Sequence, residues 1–85
     1  MERSEIVAAI ERSIAGVLRQ ETRPLPESSR LLEDLNLDST ALLELLMAIE
    51  DELSIEIDTS VMDIDDFATI SSLADHLAGT MQVTA

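Results

Sequence analysis

Leu35-Asn36-Leu37-Asp38-Ser39-Thr40-Ala41-Leu42-Leu43-Glu44-Leu45-Leu46 puts a serine at the mouth of an acidic amphipathic helix. Asp38 is a good N-cap, because its carboxylate can accept one of the backbone N–H groups that the first turn of a helix leaves unpaired. Ser39 then falls in that first turn, where the positive end of the helix dipole favours a negative group. A serine so placed is suited to carry a phosphate ester. The helix is expected to run from Ser39 to about Leu53, with Leu42, Leu45 or Leu46, Ile49 and Leu53 turned inward. Glu44, Met47, Ala48, Asp51 and Glu52 fall on the outer side.

Upstream, Val7, Ile10, Ile14, Val17 and Leu18 recur at helical spacing and predict a first helix from about Ser4 to Gln20. Ser4 is its expected cap, with Glu5 in the first turn. Pro24 and Pro26 then stop the helix and hold the chain extended. Leu25, Leu31, Leu32, Leu35 and Leu37 make the stretch from Glu21 to Asp38 too apolar to float in solvent, so it is expected to lie across the helices. Downstream, Ser54-Ile55-Glu56-Ile57-Asp58 alternates like a strand but has no partner strand, and reads as an extended connector that buries Ile55 and Ile57. Thr59 to Phe67 predicts a short helix or turn, with Val61, Met62, Ile64 and Phe67 as candidate core contacts. Thr69 caps a final helix carrying Ile70, Leu73, Ala74 and Leu77, which Gly79 is expected to end. The expected fold is all-α: a small antiparallel bundle of three main helices and one short one. It forms a single domain over residues 1–85, with its core from about 4 to 79 and a frayed tail over 80–85.

The chain has 85 residues, with 18 Asp and Glu against 5 Arg and no Lys, for a formal charge of −13. Such a surface repels nucleic acid and anionic lipid, both of which are bound through Lys and Arg. It steers basic protein surfaces instead. Solubility alone is the other reading of the same acid. Cysteine is absent, which removes disulfides and thiolate metal sites. The start of the chain lacks a basic-then-apolar leader. Its most apolar stretch, from Leu42 to Ile49, is short and interrupted by Glu44, so no membrane span is expected. A cytoplasmic monomer is the expectation.

As a nucleophile, Ser39 would need a base within hydrogen-bond reach and a group orienting that base. The single histidine, His76, sits in the last helix without a surrounding motif and reads as a surface residue. No Gly-x-Ser-x-Gly or Ser-x-x-Lys motif occurs. No catalytic residue is therefore assigned. Asp63-Ile64-Asp65-Asp66 resembles the opening of a calcium loop, which needs glycine at its sixth position and glutamate at its twelfth. Counted from Asp63 these are Ala68 and Ala74; counted from Asp58 they are Asp63 and Thr69. Both registers fail, so no metal site is expected, and the cluster reads as a solvated turn that caps a helix.

Ser39 is left as an acceptor modified by another enzyme. Asp38-Ser39, Glu44-Leu45, Ile49-Glu50-Asp51-Glu52-Leu53-Ser54-Ile55-Glu56-Ile57 and Phe67-Ala68-Thr69-Ile70-Ser71-Ser72-Leu73 together resemble the acyl carrier proteins of fatty acid and polyketide synthesis. The resemblance runs from the first helix to about Leu77. It implies a non-catalytic carrier whose serine, here Ser39, is esterified with 4′-phosphopantetheine taken from coenzyme A by a phosphopantetheinyl transferase. Asp38 is then both helix cap and part of what the transferase recognises. The arm ends in a thiol that holds acyl groups as thioesters, so the sulfur this chain lacks is imported. A phosphodiester at a helix start is also favourably placed.

The resemblance further implies docking through the second helix to partners with basic patches: the transferase, an acyl- or aminoacyl-loading enzyme, and synthases. The matching positions are Thr40, Glu44, Met47, Glu50 and Asp51, with Glu56 as a possible addition. Each of these carboxylates alone is also what an ordinary solvated helix face shows. Two residues depart from the family pattern. Asn36 stands where glycine is frequent, and tolerates the same left-handed conformation. Thr40 replaces a large apolar residue and points to a specialised carrier, of polyketide or related secondary metabolism. Aminoacyl or D-alanyl carriers are the rival within the class. An unmodified acidic interaction module is the rival outside it.

Overall fold

The computed structural model describes residues 2–22, 24–57 and 63–82. It is helical: α1 (Arg3–Leu18), α2 (Ser39–Leu53), a 3₁₀ turn (Ile64–Phe67) and α3 (Ile70–Gln82). The start and end of α2 are those its cap and its apolar stripe predict. Helix α1 packs against both α2 and α3, and the 3₁₀ turn packs against α3. Their shared core holds Ile6, Ile10 and Ile14 of α1, Leu45, Leu46 and Ile49 of α2, and Ile70, Leu73, Ala74 and Leu77 of α3. Both Leu45 and Leu46 are buried, whereas Leu42 and Leu53 are only half-buried at the margin.

Helix α1 begins one residue before the expected position, and Ser4 is not its cap. Glu2 holds the N-cap position without a side-chain hydrogen bond, and its carbonyl accepts from Glu5 N at 3.0 Å. The physical reason is tertiary. The Arg3 guanidinium pairs with Glu27 in the loop, donates from Nε to Asp75 Oδ1 at 2.8 Å, and donates from Nη2 to Ser71 Oγ at 3.0 Å. That clasp ties the start of α1 to the loop and to the first turns of α3. At its other end α1 stops at Leu18, short of Gln20. Arg19 turns left-handed at φ 57°, and Gln20 N donates back to Ala15 O at 2.9 Å, a helix-terminating geometry.

The long loop is packed, as its leucines predict, with one exception. Leu31 and Leu37 are buried and Leu25 and Leu35 lie against the core, but Leu32 is 42% exposed. Backbone bonds stitch the loop to the entry of α3: Leu31 N to Ala68 O at 3.1 Å, Ile70 N to Ser29 O at 3.2 Å and Ser71 N to Glu27 O at 2.9 Å. Once these bonds set Leu31 inward, its neighbour Leu32 faces solvent. The Glu11 carboxylate secures the middle of the loop by accepting Leu25 N at 2.7 Å.

Ile55 and Ile57 lie half-buried against the core in an extended connector. Asp58, Thr59, Val61, Met62 and the side chain of Ile64 lie outside the described residues. The acidic turn caps itself, with Asp63 N donating to Asp66 Oδ2 at 2.8 Å. Thr69 caps α3 as expected: its Oγ1 accepts Ser72 N, and Ser72 Oγ accepts Thr69 N, both at 3.0 Å. Gly79 does not end this helix, which continues through Thr80 to Gln82. No described glycine has the positive φ of a glycine stop, so Gly79 behaves as an ordinary helical residue. His76 is half-buried. Its side chain is mostly covered, and Nδ1 lies 3.7 Å from Asp66 Oδ2.

Candidate functional site

The approach to Ser39 is built by three successive residues. Asn36 takes a left-handed conformation at φ 56°, which a short polar side chain tolerates better than most. That turn lets Leu37 drop into the core, where its N–H donates to Leu31 O at 3.2 Å. Asp38 is extended, at φ −91° and ψ −179°, and its Oδ1 accepts Ala41 N at 2.7 Å. The Asp38 carbonyl accepts Leu42 N at 2.8 Å, the first i→i−4 bond of the helix, and the Asp38 side chain takes one of the four amides that a helix start leaves over.

Ser39 is exposed in the first turn of α2. Among the described residues its hydroxyl makes no hydrogen bond, and the amides of Ser39 and Thr40 have no backbone partner. A phosphodiester on this oxygen would lie at the positive end of the helix, where the Ser39 and Thr40 N–H groups have no backbone partner. The site fits such a group.

Along α2 the outward residues separate into two kinds. Thr40, Glu44, Met47 and Asp51 are exposed, as is Glu56 beyond the helix. Glu50 is half-buried, and its Oε2 accepts Ile57 N at 2.8 Å, which fastens the connector to α2. Sequence reasoning missed Leu43, 58% exposed beside Met47 at 65%. Ser39, Leu43 and Met47 are spaced i, i+4, i+8, so helical periodicity alone could have placed Leu43 on this stripe. It also missed Ser13, buried at 3% with an Oγ that has no hydrogen-bond partner among the described residues.

In the loop that leads to Ser39, Arg30 pairs with both Glu33 and Asp34. The Asp34 carboxyl is held below its ordinary pKa, first by the Arg30 backbone N–H at 2.8 Å and then by the Arg30 guanidinium. Among the described residues, no group of three or more His, Cys, Asp or Glu side chains is arranged to hold a metal ion. No described helix is long and apolar enough to cross a membrane.

Comparison with known proteins agrees with this geometry. Residues 8–77 match the family described as phosphopantetheine attachment site. An acyl carrier protein of Saccharopolyspora erythraea is 36% identical over 63 residues, covering 74% of this chain and 66% of that relative, just under two thirds of its length. The group attached in such domains is 4′-phosphopantetheine, and the matched stretch takes in α2, the 3₁₀ turn and most of α1 and α3. An all-α fold, an exposed serine at a capped helix start and a family match over most of its length place the chain in the acyl carrier protein family of phosphopantetheine-attachment domains.

Proposed function

We propose that Ser39 is the attachment residue and that the protein carries acyl intermediates on the arm it receives there. The observation that carries this reading is the exposed, unencumbered hydroxyl one residue after the Asp38 cap. In the loading step Ser39 Oγ forms a bond to the pantetheine phosphorus of coenzyme A. The phosphoanhydride bond breaks, the adenosine nucleotide leaves, and the hydroxyl proton passes to a base of the phosphopantetheinyl transferase. Once bound, the group supplies a terminal thiol on which acyl chains are held as thioesters.

The residues of the chain hold and present that arm. Asp38 fixes the first turn of α2 and contributes to recognition by the transferase. Thr40, Glu44, Met47 and Asp51 form the docking face for the transferase, the acyl-loading enzyme and synthases with basic patches, and Leu43 adds apolar area beside Met47. Glu56 extends the face past the helix end. Glu50 contributes charge while its carboxylate holds the Ile57 amide. The carrier acts as a cytoplasmic monomer, a substrate and partner of enzymes rather than a catalyst. Its pathway is of the polyketide or related secondary type. Thr40 supports that reading, since a small polar side chain stands exposed beside Ser39 where a large apolar one is usual.

The test is to incubate the protein with coenzyme A, magnesium and a broad-specificity phosphopantetheinyl transferase, and to weigh the intact chain. The protein gains the mass of one phosphopantetheinyl group, and Ser39→Ala abolishes the gain. A chain that gains nothing with several transferases, or a Ser39→Ala variant that still gains the mass, refutes the assignment.

A further inference from the structure

Glu50 does not share a stripe with Glu44 and Asp51. Glu44, Met47 and Asp51 follow one another at steps of three and four along α2 and are exposed. Glu50 instead stands four residues after buried Leu46 and three before half-buried Leu53. That spacing sets it at the margin of the inward face, about 100° around the helix from Asp51. From there its carboxylate reaches past the helix end, where Oε2 accepts Ile57 N at 2.8 Å. The Glu50 carbonyl accepts Ile55 N at 3.1 Å and the N–H of the C-cap, Ser54. One residue of α2 thus takes the amides of Ser54, Ile55 and Ile57.

In an extended segment successive side chains point to opposite sides. Ile55 and Ile57 are half-buried against the core, and Glu56 between them is exposed. A slip of one residue would turn Glu56 to the core and both isoleucines to solvent. The bonds to Ile55 N and Ile57 N fall on alternate residues and fix the register against that slip. Ile57 N has no backbone partner among the described residues, so the Glu50 carboxylate is its anchor. A hydrogen bond to a charged acceptor is stronger than one between neutral groups. A half-buried carboxylate already committed to an amide has less to offer an incoming cation than exposed Glu44 or Asp51.

We propose that Glu50 is a positioning residue: it pins the connector so that Glu56 faces the partner, and its own charge is secondary to that bond. The inference rests on the carrier reading, in which Glu56 extends the docking face past the end of α2. The carboxylates of this region then divide by role. Glu44, Asp51 and Glu56 meet the partner, while Glu50 acts through Glu56. Loss of the bond frees the Ile57 amide and with it the direction of Glu56, so the two residues contribute one effect rather than two.

The experiment sets reach against charge in the ¹⁵N-labelled full chain. Glu50→Asp keeps the charge but shortens the side chain by one methylene. Glu50→Gln keeps the length and an acceptor oxygen but loses the charge. Exchange of the Ile57 amide, read by NMR, rises about tenfold or more in Glu50→Asp and far less in Glu50→Gln. Initial rates of Ser39 loading by a broad-specificity phosphopantetheinyl transferase give KM and kcat for the carrier. Glu56→Gln raises KM about two- to fivefold, as loss of one exposed ion pair does, with kcat unchanged. Glu50→Asp raises KM by a similar factor, and Glu50→Gln by clearly less. Glu50→Asp combined with Glu56→Gln is no worse than either alone. A KM raised further by Glu50→Gln than by Glu50→Asp overturns the proposal, because the charge then acts directly. So do additive effects in the double variant, an unmoved KM in Glu56→Gln, or unmoved Ile57 exchange in Glu50→Asp. A parent chain that gains no mass at Ser39 removes the carrier reading. A parent that loads normally, with any of those outcomes in its variants, removes the positioning role alone.

Discussion

Replacing Ser13 by alanine is expected to stabilise the protein, although it removes a polar group and adds no contact. The Ser13 hydroxyl is buried between α1 and α2 without a hydrogen-bond partner among the described residues. In the unfolded chain that hydroxyl is solvated, so folding costs its desolvation without a bond in return, about 1–3 kcal/mol for a group of this kind. Alanine is also the better helix former, by roughly half a kcal/mol in a helix interior. Against these stand the few dispersion contacts of one oxygen atom, each about 0.1–0.2 kcal/mol. The balance favours Ser13→Ala by about 1–2 kcal/mol. For a domain of this size that raises Tm by roughly 5–10 °C. Urea unfolding followed by circular dichroism at 222 nm gives the same quantity as a higher midpoint with an unchanged slope. An unchanged or lower midpoint refutes the reasoning, because it shows that the hydroxyl has a satisfying partner in the folded state.

Two further outcomes follow from the site itself. Asp38→Ala removes the bond to Ala41 N and is expected to cost about 1 kcal/mol of stability, the usual penalty for losing an N-cap. Urea unfolding reads it, and phosphopantetheinylation of Ser39 slows in the same variant, whereas a variant as stable as the parent removes the capping role. Asp34 has a folded-state pKa below its unfolded one, so its stabilising contribution is fully present above the ordinary aspartate range. That contribution is lost as pH falls through the depressed folded value. Asp34→Asn is therefore less stable than the parent near neutral pH and converges on it in strong acid. A stability difference that stays constant down to pH 2 contradicts this linkage.

How much was legible beforehand depended on how local the governing interaction is. Helix α2 was readable from Asp38 to Leu53, because its cap reaches only three residues along the chain and its apolar stripe repeats each turn. The Thr69 cap was readable for the same reason, and so was the left-handed tolerance of Asn36. The start of α1 was not, since Arg3 is drawn into the helix by partners at Glu27, Ser71 and Asp75. Gly79 misled because glycine permits a stop without imposing one.

The sequence by itself determined an all-α fold, its capped second helix and a serine at the head of that helix. These follow from periodicity, capping chemistry and motif spacing, which act within one or two turns. Only the tertiary structure decided that Leu32 faces out, that His76 is covered beside Asp66 and that Glu50 holds the Ile57 amide. It alone brought Ser13 and Gly16 opposite the carboxylates of α2. Those facts depend on which faces meet when residues dozens of positions apart pack together. A single helix carries no record of its neighbour.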